Sequence, residues 1–147
     1  LCAAPGGKTL HIAESMRDRG TVVARDVNAR GVAQIRTHAR RLGVTTVDAH
    51  VGDAIAWTAT AGRERFDRVL VDAPCSGLGT LRSHPEVRWR RSPENIGDLA
   101  QLQRHILRSA APSVTPGGAI IYSTCTLTRS ENDDVVAAFL ADRTDFE

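Results

Sequence analysis

Residues 66–77, with the sequence FDRVLVDAPCSG, carry the clearest strand signal in this chain of 147 residues. Residues 66–71 form a short run with β-branched side chains, which predicts a strand. Pro74 has no amide proton to donate to a sheet ladder, so strand pairing is expected to stop before it. The segment therefore predicts a strand that places Asp72 and Cys75 at its carboxyl end.

Strand and helix signals alternate on both sides of this segment. Strands are predicted at residues 21–24, 46–51, 66–71 and 119–122. Helices are predicted from Leu10 toward Gly20, over residues 29–42, from Ser92 until a break at 112–118, and from a capping box at 130–133 through Leu140. Residues 55–62 receive no assignment. Because strands joined by helices favour right-handed crossovers, the pattern predicts an α/β fold with a doubly wound, mostly parallel sheet.

The distinctive motifs all follow predicted strands. Cys75 follows the strand described above, and Cys125 follows the last one in the run Ser123-Thr124-Cys125-Thr126. Asp26 follows the predicted strand at residues 21–24, and Asp53 follows the one at 46–51. In open parallel sheets such strand ends gather along one rim, where ligands bind. Thiols are strong nucleophiles near neutral pH, so this rim is a candidate reaction site.

A glycine-rich turn, residues 2–9 (CAAPGGKT), permits two interpretations. Its end resembles a Walker A loop, and residues 68–72 could then supply the strand and acid that hold magnesium in a nucleotide triphosphatase. Cys2, however, occupies the position where that loop needs a glycine. The alternative is an adenosine ligand, with Asp26 holding ribose hydroxyls and Asp53 accepting from an adenine amino group. Either aspartate alone could instead be a helix cap or turn residue.

Three motifs in order resemble the signatures of the Sun/Fmu family of RNA cytosine-5 methyltransferases. They are residues 2–9, residues 72–77 and residues 123–126, and residues 82–89 (RSHPEVRW) also match the family's connecting loop. The resemblance covers essentially the whole chain. It implies a Rossmann-like class I methyltransferase fold and an S-adenosylmethionine-dependent enzyme that acts on ribosomal or transfer RNA. A domain that keeps cofactor binding without turnover is the alternative within this class.

The resemblance also implies roles for individual residues. The turn would wrap the methionine part of the cofactor through Cys2, Ala3, Ala4, Pro5, Gly6, Gly7 and Lys8. Asp26 would hold the ribose, Asp53 would lie by the adenine, and Asp72 would lie near the cofactor's amino end and the target base. Cys125 would be the nucleophile and Cys75 would help to release the product. The presence of both thiols is typical of the RNA branch, since cytosine-5 DNA methyltransferases use the earlier cysteine.

Nucleophilic chemistry requires a thiolate, and an ordinary cysteine with a pKa of about 8.5 is mostly protonated at neutral pH. Lys8, the only lysine in the chain, is the candidate source of the positive charge that Cys125 needs. A cluster of cationic side chains follows the first cysteine motif and predicts contact with RNA phosphates, although a solvated loop is the alternative. Its arginines are Arg82, Arg88, Arg90 and Arg91, with His84 and Trp89 among them.

Composition indicates the compartment of the protein and the groups that it is not expected to bind. The net charge is +2, and no apolar run approaches the ~18 residues of a membrane span, which predicts a soluble protein. Three cysteines match neither a zinc spacing nor a secreted disulfide framework, and the five histidines form no evident metal cluster. A cytoplasmic protein without a metal is therefore expected, whereas the oligomeric state is open. Because the chain begins inside the glycine turn, we expect one partial methyltransferase domain that lacks the first and last strands of its sheet.

Overall fold

The computed structural model describes residues 1–56 and 64–147, so most of the unassigned segment at 55–62 lies outside the described residues. The chain divides into two compact units, one within residues 1–60 and the other within 61–147. Each unit contains a pair of parallel strands with helices between or beside them. Among the described residues, no helix is both long and apolar enough to cross a membrane.

The first unit contains α1 (Gly7–Ser15), β1 (Val22–Asp26), α2 (Ala29–Leu42) and β2 (Val47–Val51). The strands β1 and β2 are parallel, with Val22 opposite Val47 and Asp26 opposite Val51. Helix α2 buries Val32 and Ile35 completely against the small side chains of both strands. Asn28 caps its start and Gly43, in the left-handed conformation, ends it, so the helix predicted at residues 29–42 is confirmed.

Helix α1 ends at Ser15, well before the Gly20 at which the sequence pattern stops. Arg17 and Asp18 both have positive φ angles, 55° and 52°, and cannot continue the helix. The carboxylate of Asp18 accepts hydrogen bonds of 2.7–3.0 Å from the backbone N–H and hydroxyl groups of Thr45 and Thr46. These bonds lower the pKa of Asp18 far below its ordinary value. A contact 27 residues away in sequence thus fixes the segment that follows α1.

The second unit contains β3 (Phe66–Asp72), α3 (Val87–Arg90), α4 (Pro93–Ala110), β4 (Val114–Ser123) and α5 (Asp133–Asp142). The strands β3 and β4 are parallel, and Asp72 stands opposite Ser123 where both strands end. Ser92 caps α4 by accepting a hydrogen bond of 3.3 Å from the amide of Asn95, as the motif predicts. The strand ahead of Pro74 and the helix starting at Ser92 are thus confirmed.

The helix does end before residues 112–118, at Ala110, but the strand predicted at 119–122 begins earlier, at Val114. Its first pair is Phe66 with Val114 and its next is Arg68 with Ala119, so residues 115–118 bulge opposite the single residue Asp67. Gly117 has a φ of +76°, which glycine adopts without strain. The glycines that signalled a break serve a bulge inside a continuing strand.

The capping box predicted at residues 130–133 does not form. Ser130 lies in a 3-10 turn, Arg129–Glu131, and α5 begins only at Asp133. The acid of this pattern, Asp133, is thus the first residue of the helix, and no described side chain caps the helix start. Glu131, inside the pattern, is fully buried and accepts hydrogen bonds from elsewhere in the second unit.

Candidate active site

The glycine-rich turn is tied to the end of β1 in the first unit. The amide of Ala3 donates to the carbonyl oxygen of Arg25 at 2.9 Å, and the amide of Ala4 donates to Oδ2 of Asp26 at 2.9 Å. The amide of Asn28 donates to Oδ1 of Asp26 at 2.8 Å. A carboxylate offers about four acceptor positions, so Asp26 retains capacity for ligand hydroxyls. The structure therefore brings the turn and the predicted ribose-binding aspartate together.

The turn lies directly against α2, and only glycine fits at two of its contacts. Gly6 has a φ of +106°, and a Cβ atom there would lie 2.7 Å from Cγ1 of Ile35. A Cβ atom on Gly31 would lie 2.5 Å from Cβ of Ala4. A Cβ atom on Gly7, in contrast, would meet nothing within 4 Å. The backbone at the start of α1 is therefore held in place on one side and open on the other.

The start of α1 has the properties of an anion site. Gly6 occupies the N-cap position, and no described side chain caps the helix or places an acid in its first turn. The first amides of a helix lack partners within it and attract carboxylates. A Walker A interpretation fits less well, because the amides of Ala3 and Ala4 already bond protein acceptors. They are not available to surround a phosphate.

The remaining predicted cofactor residues lie in different surroundings. The amide of Gly52 donates to the carbonyl oxygen of Asp26 at 3.0 Å, so Asp53 follows the strand end next to that of Asp26. Asp53 is exposed, and its Oδ1 accepts from the amide of Ile55 at 2.9 Å. Cys2 is half-buried with a φ of 55°, and Lys8 is exposed. Asp72 belongs to the second unit.

The two thiols predicted to act together are in contact within the second unit. Sγ of Cys75 lies 3.1 Å from Sγ of Cys125, and the amide of Cys125 donates to Sγ of Cys75 at 3.2 Å. Burial, followed by the hydrogen bond with Cys125, raises the pKa of Cys75 to about 11. Cys125 is exposed, whereas Cys75 is half-buried. Cys75 thus keeps its proton near neutral pH, while Cys125 is the thiol accessible to an incoming molecule.

Asp72 is the last residue of β3, three residues before Cys75. Its Oδ1 accepts a hydrogen bond of 2.7 Å from the hydroxyl of Ser123, the residue opposite it on β4. The amide of Ala73 donates to the carbonyl oxygen of Ser123 at 2.9 Å. These bonds keep the two strand ends together up to the segments that carry the cysteines.

A buried carboxylate that the sequence did not reveal lies under the two cysteine segments. Glu131 is 0% exposed and accepts hydrogen bonds from both the amide and the hydroxyl of Ser76, at 2.8 and 2.6 Å. It also accepts from the hydroxyl of Thr128 at 2.8 Å and from Nε2 of Gln103 at 3.0 Å. In the sequence it is only an intermediate residue of the capping pattern at 130–133, which gives it no role. Nothing local distinguishes an exposed glutamate from one that is buried by a distant segment.

The cationic cluster at residues 82–91 divides into two kinds of residue. Nε of Arg91 donates to the carbonyl oxygen of Ser76 at 2.9 Å, so this arginine supports the first cysteine segment. Arg82, Arg88 and Arg90 are exposed, and the side chain of Trp89 is 84% exposed. His84 pairs with Glu86 at 3.5 Å. Arg91 is exposed as well, so all four arginines and one aromatic face lie at the surface of the second unit.

Comparison with known proteins places this geometry among methyltransferases. A family model described as 16S rRNA methyltransferase RsmB/F matches residues 1–147. The probable ribosomal RNA small subunit methyltransferase B of Bacillus subtilis (strain 168) is 47% identical over 146 residues, which are 99% of this chain and 33% of that protein. The chain therefore spans about a third of the length of the curated relatives that it matches.

Solved structures agree with this assignment. The crystal structure of PH0851 has a TM-score of 0.92 at 40% identity, covering 96% of this chain and 32% of that one. NSun6 from Pyrococcus horikoshii, solved with SFG, has a TM-score of 0.88 at 33% identity, covering 97% of this chain and 36% of that one. These similarities confirm the predicted α/β, Rossmann-like fold.

Proposed function

This chain belongs to the 16S rRNA methyltransferase RsmB/F family, as its resemblance to Sun/Fmu proteins predicted, and from that premise we propose that it is part of an S-adenosylmethionine-dependent RNA methyltransferase. Residues 1–147 would form part of the catalytic domain. The product would be 5-methylcytosine in RNA, with ribosomal RNA favoured over transfer RNA by the family and by the names of the relatives.

The first unit suits an S-adenosylmethionine site. The uncapped start of α1 would accept the carboxylate of the methionine part, and Asp26 has acceptor positions left for ribose hydroxyls. Asp53, after the neighbouring strand, would accept from the adenine amino group. The NSun6 relative was solved with SFG, an analogue of this cofactor. S-adenosylmethionine supplies an electrophilic methyl group on a sulfonium sulfur.

The second unit would supply the nucleophile. Carbon 5 of cytosine is too weakly nucleophilic to take a methyl group directly. Addition of the Cys125 thiolate at carbon 6 makes the ring enamine-like, so carbon 5 can attack the methyl group. The exposure of Cys125 supports this assignment, since the base must reach its sulfur.

Cys75 and Asp72 would act around the adduct. After methyl transfer, the proton on carbon 5 must leave before the Cys125 sulfur departs. Cys75, in contact with the Cys125 sulfur, would assist release of the methylated product. Asp72 would hydrogen-bond the edge of the cytosine and stabilise the adduct. Replacing Asp72 by Ala is expected to slow turnover, and unchanged turnover would remove this role.

Binding of RNA would use the exposed cationic cluster. Arg82, Arg88 and Arg90 would contact phosphates beside a target base that is unpaired or flipped out, because carbon 6 cannot be reached inside a helix. The three cysteines are free in the described structure, which suits a reducing compartment, and we place the protein in the cytoplasm.

The contact of 3.1 Å between the Cys75 and Cys125 sulfurs is the observation that carries this proposal. Its test compares Cys75→Ala with Cys125→Ala in the intact protein, incubated with S-adenosylmethionine and a 16S rRNA transcript. Cys75→Ala is expected to stall as a covalent protein–RNA complex that survives denaturing electrophoresis. Cys125→Ala is expected to form none. A complex with Cys125→Ala, or methylation by it, would contradict the assignment, and cofactor binding without methylation by the unmutated protein would indicate a domain without turnover.

A further inference from the structure

Glu131 is the most completely buried acid among the described residues, and its hydrogen bonds reach both cysteine segments. Ser76, which directly follows Cys75, donates two hydrogen bonds to the carboxylate of Glu131, one from its amide and one from its hydroxyl. Thr128, three residues after Cys125, donates to Oε2 at 2.8 Å. One carboxylate thus connects the segment after β3 with the segment after β4.

Further bonds make this connection rigid. The hydroxyls of Ser76 and Thr126 lie 2.8 Å apart, and both side chains are buried. Nε2 of Gln103, on α4, donates to Oε1 of Glu131 at 3.0 Å and to the carbonyl oxygen of Pro74 at 2.9 Å. Helix α4 is therefore linked to the same carboxylate and to the residue just before Cys75.

The carboxylate is ionised despite its burial. Burial raises the pKa of Glu131, but the hydrogen bonds from Ser76, Thr128 and Gln103 outweigh it, so the pKa lies below the ordinary value. No cationic side chain is among its hydrogen-bond partners in the described structure. A buried charge without a counterion is costly unless its oxygens are fully hydrogen-bonded. Movement of either cysteine segment would break one of these hydrogen bonds and leave a buried, charged oxygen without a donor, which is unfavourable.

We infer that Glu131 is a positioning residue, whose buried carboxylate sets the spacing between the sulfurs of Cys75 and Cys125. It does not touch the reacting atoms itself. It acts by holding Ser76 and Thr128, which flank the two thiols in sequence. Only the predicted effect on the rate of methylation rests on the proposed function. The spacing of the two sulfurs can be measured without any methyl transfer.

The test measures the rate at which dibromobimane, a short bifunctional alkylating reagent, bridges Cys75 and Cys125 in the intact protein. Glu131→Gln keeps the side-chain shape but replaces one acceptor oxygen by a donor NH₂ group, which opposes the hydroxyl donors of Ser76 and Thr128. We expect it to slow bridging by about tenfold, and to lower kcat for RNA methylation by a similar factor with little change in KM for S-adenosylmethionine. Peptide mapping by mass spectrometry identifies the bridged pair.

Controls separate spacing from a general loss of structure. Asp134→Asn removes an acid near Glu131 in sequence that pairs only with Arg129 among the described residues, at 3.2 Å, and should bridge at the unmutated rate. Single labelling of Cys125 by iodoacetamide should change by less than about twofold in Glu131→Gln, since spacing does not affect a monofunctional reagent. Thr128→Val, which deletes one donor, should slow bridging by a smaller factor and serves if Glu131→Gln does not fold.

Bridging by folded Glu131→Gln or Thr128→Val at the unmutated rate would overturn the inference. So would equal increases in bridging and single labelling, because these would indicate loosening rather than a change in spacing. If bridging slows as expected while the unmutated protein methylates no RNA, the positioning role stands and the proposed function fails.

Discussion

Replacing Gly79 by Ala is expected to displace the backbone of Cys125 and to slow methyl transfer. Gly79 donates its amide to the carbonyl oxygen of Cys125 at 3.0 Å. A Cβ atom at residue 79 would lie 2.8 Å from that oxygen and 3.3 Å from its carbon, whereas ordinary contact begins at 3.4 Å. The backbone must therefore yield by about 0.6 Å, the difference between 3.4 and 2.8 Å.

The size of this backbone displacement determines the expected loss in kcat. A misplacement of about 1 Å costs about 10²-fold in rate, so about 0.6 Å should lower kcat about 10- to 20-fold. Overpacking of this kind should also lower the free energy of unfolding by about 1–3 kcal/mol. The assay follows transfer of a labelled methyl group to a 16S rRNA transcript by the intact protein, with urea denaturation of the same preparations.

The matched control is Gly97→Ala, the same substitution in α4. A Cβ atom at residue 97 would meet nothing within 4 Å. Because Gly is unfavourable inside a helix, this variant should gain about 0.5–1 kcal/mol in stability and keep its activity. A Gly79→Ala protein with the kcat of Gly97→Ala would refute the reasoning, since the position of the Cys125 backbone would then not matter for turnover.

Three further predictions concern the turn, the second thiol and the cationic cluster. Gly6→Ala should lower the free energy of unfolding by about 2–5 kcal/mol in urea titrations, from its positive φ and its clash with Ile35, and an unchanged midpoint would contradict this. Since the pKa of Cys75 is raised from 9.0 to about 11, its contribution to stability is complete below pH 9 and is lost as the pH rises through about 11. Alkylation of Cys75, resolved by mass spectrometry, should therefore have its midpoint nearer 11 than 9. Replacing Arg82, Arg88 and Arg90 by Gln should reduce the magnitude of the slope of log RNA affinity against log salt concentration by about 2–3. An unchanged slope would exclude these arginines from phosphate contact.

Elements with local signals were predictable from sequence. Helix α2 has a capping asparagine, a one-sided apolar stripe and a terminal glycine, and its predicted bounds match the structure. The end of β3 was predictable because Pro74 cannot pair. Both cysteines follow predicted parallel strands and were therefore expected along one edge of the sheet, and the structure brings them into contact.

Features that depend on distant contacts were not predictable in this way. Just beyond the early end of α1, Asp18 meets Thr45 and Thr46, and nothing within α1 indicates that encounter. The bulge of β4 used Gly117 where the sequence suggested a break. Glu131 had no predicted role, and Ser76, 55 residues away, gives it one by donating a hydrogen bond to its carboxylate. In each case the structure depends on a contact that local sequence does not specify.

The identity of the sulfur that bonds to RNA tests the account most directly. The intact protein is incubated with S-adenosylmethionine and RNA transcribed with 5-fluorocytidine, whose fluorine blocks removal of the carbon 5 substituent and so traps the adduct. After digestion, mass spectrometry locates the attached nucleotide. We expect the nucleotide on Cys125 and none on Cys75. A nucleotide on Cys75, or methylation with no adduct on either cysteine, would contradict it.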